Sequence, residues 1–95
     1  MTPTSLHGLM RSWAREFAAD DIMVNLVAPA LTETPLTLRS VGMEELARRS
    51  ATYPLGRLPK MEEIAYAVAW LASDEAAMIT GQVISPNGGV AIVGI

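Results

Sequence analysis

Residues 22–34 read IMVNLVAPALTET, and the fold class turns on how they are read. Residues 22–28 form an apolar run broken only by Asn25. The run does not alternate between apolar and polar. A strand covered on both faces, as in a parallel sheet, has this pattern. A short buried helix is the alternative, but the β-branched Ile22, Val24 and Val27 and the following Pro29 favour strand.

Upstream, residues 3–19 read as an amphipathic helix. Leu6, Leu9, Met10, Trp13 and Phe17 recur at helical spacing, with Arg11, Arg15 and Glu16 off that stripe. Thr2 can cap it, and Pro3 suits a first helical position, where a missing N–H costs nothing. Downstream, residues 29–59 read as loop-rich, with a weak helix near residues 43–50. A loop region that long in a compact domain is usually functional or mobile. Residues 60–72 give a second strong helix, its face made of Met61, Ile64, Ala65, Val68, Leu71 and Ala72. Glu62 and Glu63 fall in the first turn, where the helix dipole favours acids. SDEAAMITG (73–81) reads as a turn or short helix, QVISP (82–86) as a short strand, Asn87-Gly88-Gly89 as a turn and residues 90–95 as an apolar tail.

The order helix, strand, loop with helix, helix, strand predicts the α/β class, with a βαβ unit of right-handed crossover. Two parallel strands make an incomplete sheet, because three or more are generally needed. We expect residues 1–95 to be a single partial domain.

Bulk composition narrows the function. Hydrophobic residues make up 51% of the chain and charged residues 18%, against about 25% charged in a typical domain. Mean hydropathy is +0.29, which predicts apolar surface in search of a partner. Net charge is −3 with no run of Lys or Arg, so nucleic acid is not an expected partner. With no cysteine and one histidine, a disulfide framework, a thiolate nucleophile and a Cys- or His-rich metal site are excluded. No apolar run approaches the ~20 residues that span a bilayer. No signal peptide precedes the first helix. A cytoplasmic, non-membrane protein is the expectation.

Self-contained catalytic motifs are missing from these residues. The glycines form no GxGxxG or Walker-type loop, and there is no GxSxG. His7 is alone and off the apolar stripe. Adjacent acids on a helix do not face each other, so Glu44-Glu45 and Glu62-Glu63 read as solvated faces, and Arg48-Arg49 as an exposed face rather than a phosphate site. Trp13 and Trp70 read as core or interface anchors.

Three stretches, taken in order, resemble the C-terminal part of a short-chain dehydrogenase/reductase. LHGLMRSWAREFA resembles the helix that follows the family's catalytic Tyr-x-x-x-Lys. IMVNLVAPALTET resembles the strand and loop of I-x-V-N-x-v-x-P-G-x-x-x-T. The third, PLGRLPKMEEIAYAVAWLASDEAAMITGQVISPNGG, resembles the closing segment of the fold. Each motif is weak alone; the ordered set covers nearly the whole chain.

The resemblance implies a doubly wound Rossmann-like fold and hydride transfer between NAD or NADP and a carbonyl or alcohol on a small molecule. It places Pro29, Ala30, Leu31, Thr32 and Thr34 at the nicotinamide side. Thr34 is expected to bond carboxamide or phosphate, and 30–32 to offer backbone groups; the family's Gly is Ala30 here. Without the resemblance, these residues read as a polar loop with a helix cap. Asn25 matches the family's strand Asn and is expected to bond backbone. Residues 35–57 fall on the substrate side. The departures matter as much. The glycine-rich loop and the catalytic Ser are absent from the 95 residues. By register the family's Tyr falls just before Met1, and its Lys position is Pro3, so no catalytic residue is nominated.

The resulting expectation is a fragment or truncated relative of an NAD(P)-dependent reductase, inactive alone. Alternatives are an enzyme completed by another segment, or a non-catalytic oligomerisation or interaction module. A homo-oligomer through the first helix and the C-terminal strand and tail is expected.

Overall fold

The computed structural model describes residues 3–91. In order these are helix α1 (Pro3–Phe17), strand β1 (Leu26–Val27), helices α2 (Pro35–Val41), α3 (Met43–Thr52) and α4 (Met61–Leu71), and strand β2 (Val83–Ile84), with 3-10 turns at Ala18–Asp20 and Asp74–Ala76. The two strands pair in parallel, Leu26 opposite Val83 and Val27 opposite Ile84. The α/β reading and the parallel βαβ order therefore hold. The chain divides into two compact units, 1–28 with 67–84, and 29–66 with 85–95; α4 contributes residues to both.

In the first unit the ladder is shorter than the apolar run. Only Leu26 and Val27 are regular strand, although seven residues looked competent. Asn25 takes over at the strand's start. Its Nδ2 donates to the Ile79 carbonyl at 2.9 Å, and its Oδ1 accepts from the Gln82 N–H at 3.0 Å. On either side, the Val24 N–H donates to Thr80 Oγ1 (3.0 Å) and the Gly81 N–H to the Val24 carbonyl (2.9 Å). An amide side chain thus stitches the 79–82 turn to the strand where backbone pairing stops.

α1 lies against that turn. A Cβ placed on Gly81 would sit 3.6 Å from the Ala14 Cβ, so two small residues set the approach. Met10 and Ala14 are the buried line of α1. The expected stripe was wider: Leu9 and Phe17 are half-buried, while Leu6 and Trp13 remain 41% and 45% exposed. α4 differs more. None of its residues is buried; Met61, Tyr66, Val68 and Trp70 are all exposed. Its apolar face exists in the sequence, but the described residues do not cover it.

In the second unit Leu46, Tyr53 and Leu58 form a small core, with Ala30, Leu31 and Val41 packed on it. The segment expected to be mostly loop holds two helices. α3 is close to the expected position. It carries Glu45 with Arg49 Nε at 2.8 Å, and Arg48 also on that carboxylate. Arg49 first and then Arg48 hold the Glu45 carboxyl below its usual range. The 87–89 turn closes the unit: Asn87, 8% exposed, accepts from the Gly89 N–H and donates to the Ala91 carbonyl, both at 2.9 Å. Gly89 has φ +87, and a Cβ there would press on Pro54 at 3.3 Å, so only glycine fits without strain. The expected apolar tail falls largely outside the described residues.

Two stability tests follow from these bonds. Asn25→Ala removes the donor to the partly buried Ile79 carbonyl and the acceptor of the exposed Gln82 N–H, which costs about 1 kcal/mol. Urea unfolding checks it, and amide exchange at Gln82 rises.

The second test concerns the α4 start. Glu63 receives both guanidinium nitrogens of Arg57, at 2.6 and 2.7 Å, and the Lys60 N–H at 2.9 Å. Arg57 foremost, then Lys60, depress its carboxyl from 4.5 to about 2. A depressed acid stabilises the folded chain fully above its unfolded value, and the stabilisation is lost as pH falls towards about 2. The melting temperature should therefore fall between about pH 4.5 and 2, and less steeply in Arg57→Gln.

Candidate functional site

The loop leaving β1 is fixed by its own bonds. Thr32 Oγ1 donates to the Ala30 carbonyl at 2.8 Å. The Glu33 N–H donates to the Pro59 carbonyl at 2.8 Å, within a short parallel bridge between Glu33 and Lys60. Thr34 is the N-cap of α2: its Oγ1 accepts from the Thr37 N–H at 3.0 Å and shares a hydrogen bond with Thr37 Oγ1 at 2.8 Å. Pro35 takes the first helical position. The cap reading of Thr34 is thus what its local bonds display.

Ala30 and Leu31 turn their side chains onto the Leu46–Tyr53–Leu58 core. Their backbone N–H groups, and that of Thr32, donate to no described group. Pro29 is exposed and has no N–H to give. All five loop residues singled out from the sequence therefore lie in one connected segment. Three of them present free N–H donors, the groups a carboxamide oxygen or a phosphate oxygen accepts from.

Beside Thr34 opens a groove of about 410 Å³ lined by Glu33, Thr34, Pro35, Leu38, Lys60, Met61 and Glu62. It carries both charge signs, and the Lys60 side chain has no ion pair among the described residues. Sequence reading passed over Lys60. The available signal was spacing: Lys60 and Glu63 stand three apart at a helix start, the reach-back half of a capping box. No cluster of acids, histidines or cysteines able to hold a metal occurs among the described residues. No described helix is long and apolar enough to cross a membrane.

Comparison with known proteins fits this geometry. The family profile described as enoyl-(acyl carrier protein) reductase matches residues 2–91. The chain belongs to the short-chain dehydrogenase/reductase family. It is 46% identical over 87 residues to the 3-oxoacyl-[acyl-carrier-protein] reductase FabG of Thermotoga maritima, covering 90% of this chain and 34% of that protein. Against FabG of Escherichia coli the identity is 49% over 88 residues, covering 93% and 36%. Among solved structures, YwfH, described as an NADPH-dependent reductase involved in bacilysin biosynthesis, superimposes with a TM-score of 0.85 at 29% identity, covering 93% of this chain and 37% of that one. The chain spans about a third of the length of the curated relatives it matches. Its fold is the corresponding portion of their Rossmann-like domain, and the family uses a nicotinamide cofactor.

Thr34 separates its two possible roles by substitution. Thr34→Ala should cost about 1 kcal/mol through loss of the α2 cap, with Thr34→Ser close to the parent. Thermal unfolding of the three chains checks this.

Proposed function

We propose that residues 1–95 form one partial domain, the nicotinamide- and substrate-side portion of an NAD(P)-dependent reductase, and that they do not transfer hydride by themselves. The observation that carries this is Pro3. It starts α1 at the register position where the family motif has its lysine. A proline side chain can neither donate to a ribose hydroxyl nor lower the proton affinity of a neighbouring phenol. The bound cofactor would supply the hydride for a carbonyl carbon. The chain's own residues would orient it: the N–H groups of Ala30, Leu31 and Thr32, which donate to no described group, would bond the nicotinamide amide, and Thr34 holds the end of that loop by capping α2. The relatives named for 3-oxoacyl-[acyl-carrier-protein] reduction favour a 3-oxoacyl thioester as the substrate class of the complete reaction. The loop and helices α2 and α3 would meet it.

A second reading has support in one observation. Leu6, Trp13, Val68, Trp70 and Met78 are exposed, Met78 at 94%. Such surface suits an association module, a homo-oligomer through the first helix and the C-terminal strand, whether or not chemistry accompanies it.

The test is direct. NADPH absorbance is followed with the purified chain and a 3-oxoacyl thioester, and NADPH binding is measured by fluorescence. No oxidation above background and no tight saturable binding are expected. Measurable turnover by the chain alone would overturn the proposal. Sedimentation velocity tests the second reading, with a species heavier than 10.2 kDa expected if the apolar faces associate.

A further inference from the structure

In the first compact unit, a groove of about 310 Å³ runs along the last turns of α1, lined by Arg11, Ala14, Arg15, Ala18, Thr80 and Gly81. Its chemistry is one-sided. Arg11 and Arg15 stand four residues apart, on one helix face. Neither side chain makes an ion pair or hydrogen bond among the described residues. Two like charges at that spacing repel on an isolated helix, and no ion pair among the described residues offsets them.

The opposite wall adds a donor. Thr80 Oγ1 accepts from the Val24 N–H at 3.0 Å, and this bond uses a lone pair. The hydroxyl hydrogen donates to no described group. No carboxylate lines the groove, although Glu16, Asp20 and Asp21 are near in sequence. Two carbonyls at the end of α1 are engaged: Phe17 accepts from the Ile22 N–H at 3.2 Å and Ala18 from the Asp21 N–H at 3.0 Å. Ala14 and Gly81, two small residues in close approach, also line it.

We propose that this groove binds a phosphate group, with Arg11 and Arg15 as its charge partners and the Thr80 hydroxyl as a third donor. Guanidinium forks match the oxygens of a phosphate in geometry and charge, and no carboxylate lines the groove to compete for them. The site is independent of the nicotinamide-side loop, and its test is independent of the hydride-transfer reading.

The experiment is an NMR titration of the ¹⁵N-labelled 95-residue chain at constant ionic strength. One arm uses inorganic phosphate, the other glycerol 3-phosphate, which separates free phosphate from a phosphoryl group carried on an organic molecule. Saturable shifts at the Thr80 and Gly81 amides and the Arg11 and Arg15 side-chain Nε–H signals are expected in at least one arm. Arg11→Gln and Arg15→Gln should each weaken binding about tenfold while the dispersed spectrum of the folded chain is kept. Shifts that do not saturate, that map elsewhere, or that persist in both variants overturn the proposal. So does a spectrum without the dispersion of a folded chain, because the site exists only when α1 and the Thr80 turn are formed.

Discussion

The first unit depends on one amide. β1 and β2 pair over two residues each, too few to organise a sheet edge by themselves. Asn25 extends the pairing by proxy, since its carboxamide offers an acceptor and a donor at the spacing of a peptide group. It meets both the Ile79 carbonyl and the Gln82 N–H. The Thr80 hydroxyl then serves the Val24 N–H that no strand partner reaches. Buried backbone groups must be paired. A chain with so little regular strand pairs them by side chains, and this holds the turn against which Ala14 packs.

That clasp also explains what was legible from sequence. An Asn in an apolar run invites the question of its partners, and backbone was the expected answer. What periodicity could not show is how short the ladder would be. Strand length depends on which neighbours donate, and seven apolar residues look alike whether two or seven of them pair. α2 was hidden for a different reason. Seven residues with Leu36, Leu38 and Val41 make no sustained apolar stripe, and both leucines are exposed. Its signature is local instead: Thr34 as cap, Pro35 at the first position and Gly42 at φ +89 ending it. Start and stop residues define this helix where periodicity does not.

Helical spacing located α1 and α4 within a residue or two. It could not say what covers them. The stripe of α1 narrows to Met10 and Ala14, and α4 buries nothing. An amphipathic pattern records that a face is meant for burial, and it does not say which residues bury it. The high hydrophobic content and the exposed tryptophans are one observation seen twice. They agree with a chain that matches about a third of each relative.

The 29–34 loop takes its shape from bonds inside its own unit: Thr32 to Ala30, Glu33 to Pro59, Thr34 to Thr37, with Leu31 anchored on Leu46, Tyr53 and Leu58. None of these partners lies upstream of the loop's own strand. The N–H groups of Ala30, Leu31 and Thr32 are therefore positioned by residues of the same unit. Proton transfer has no such local support, since it needs a phenol and an ammonium held about one turn apart on a single helix. By the family resemblance Pro3 stands at the register position of that motif's lysine, and it gives α1 a favourable first residue. On the proposed reading, loss of the family motif's lysine leaves the loop's own hydrogen bonds in place, because their partners Ala30, Thr37 and Pro59 all lie within residues 29–66.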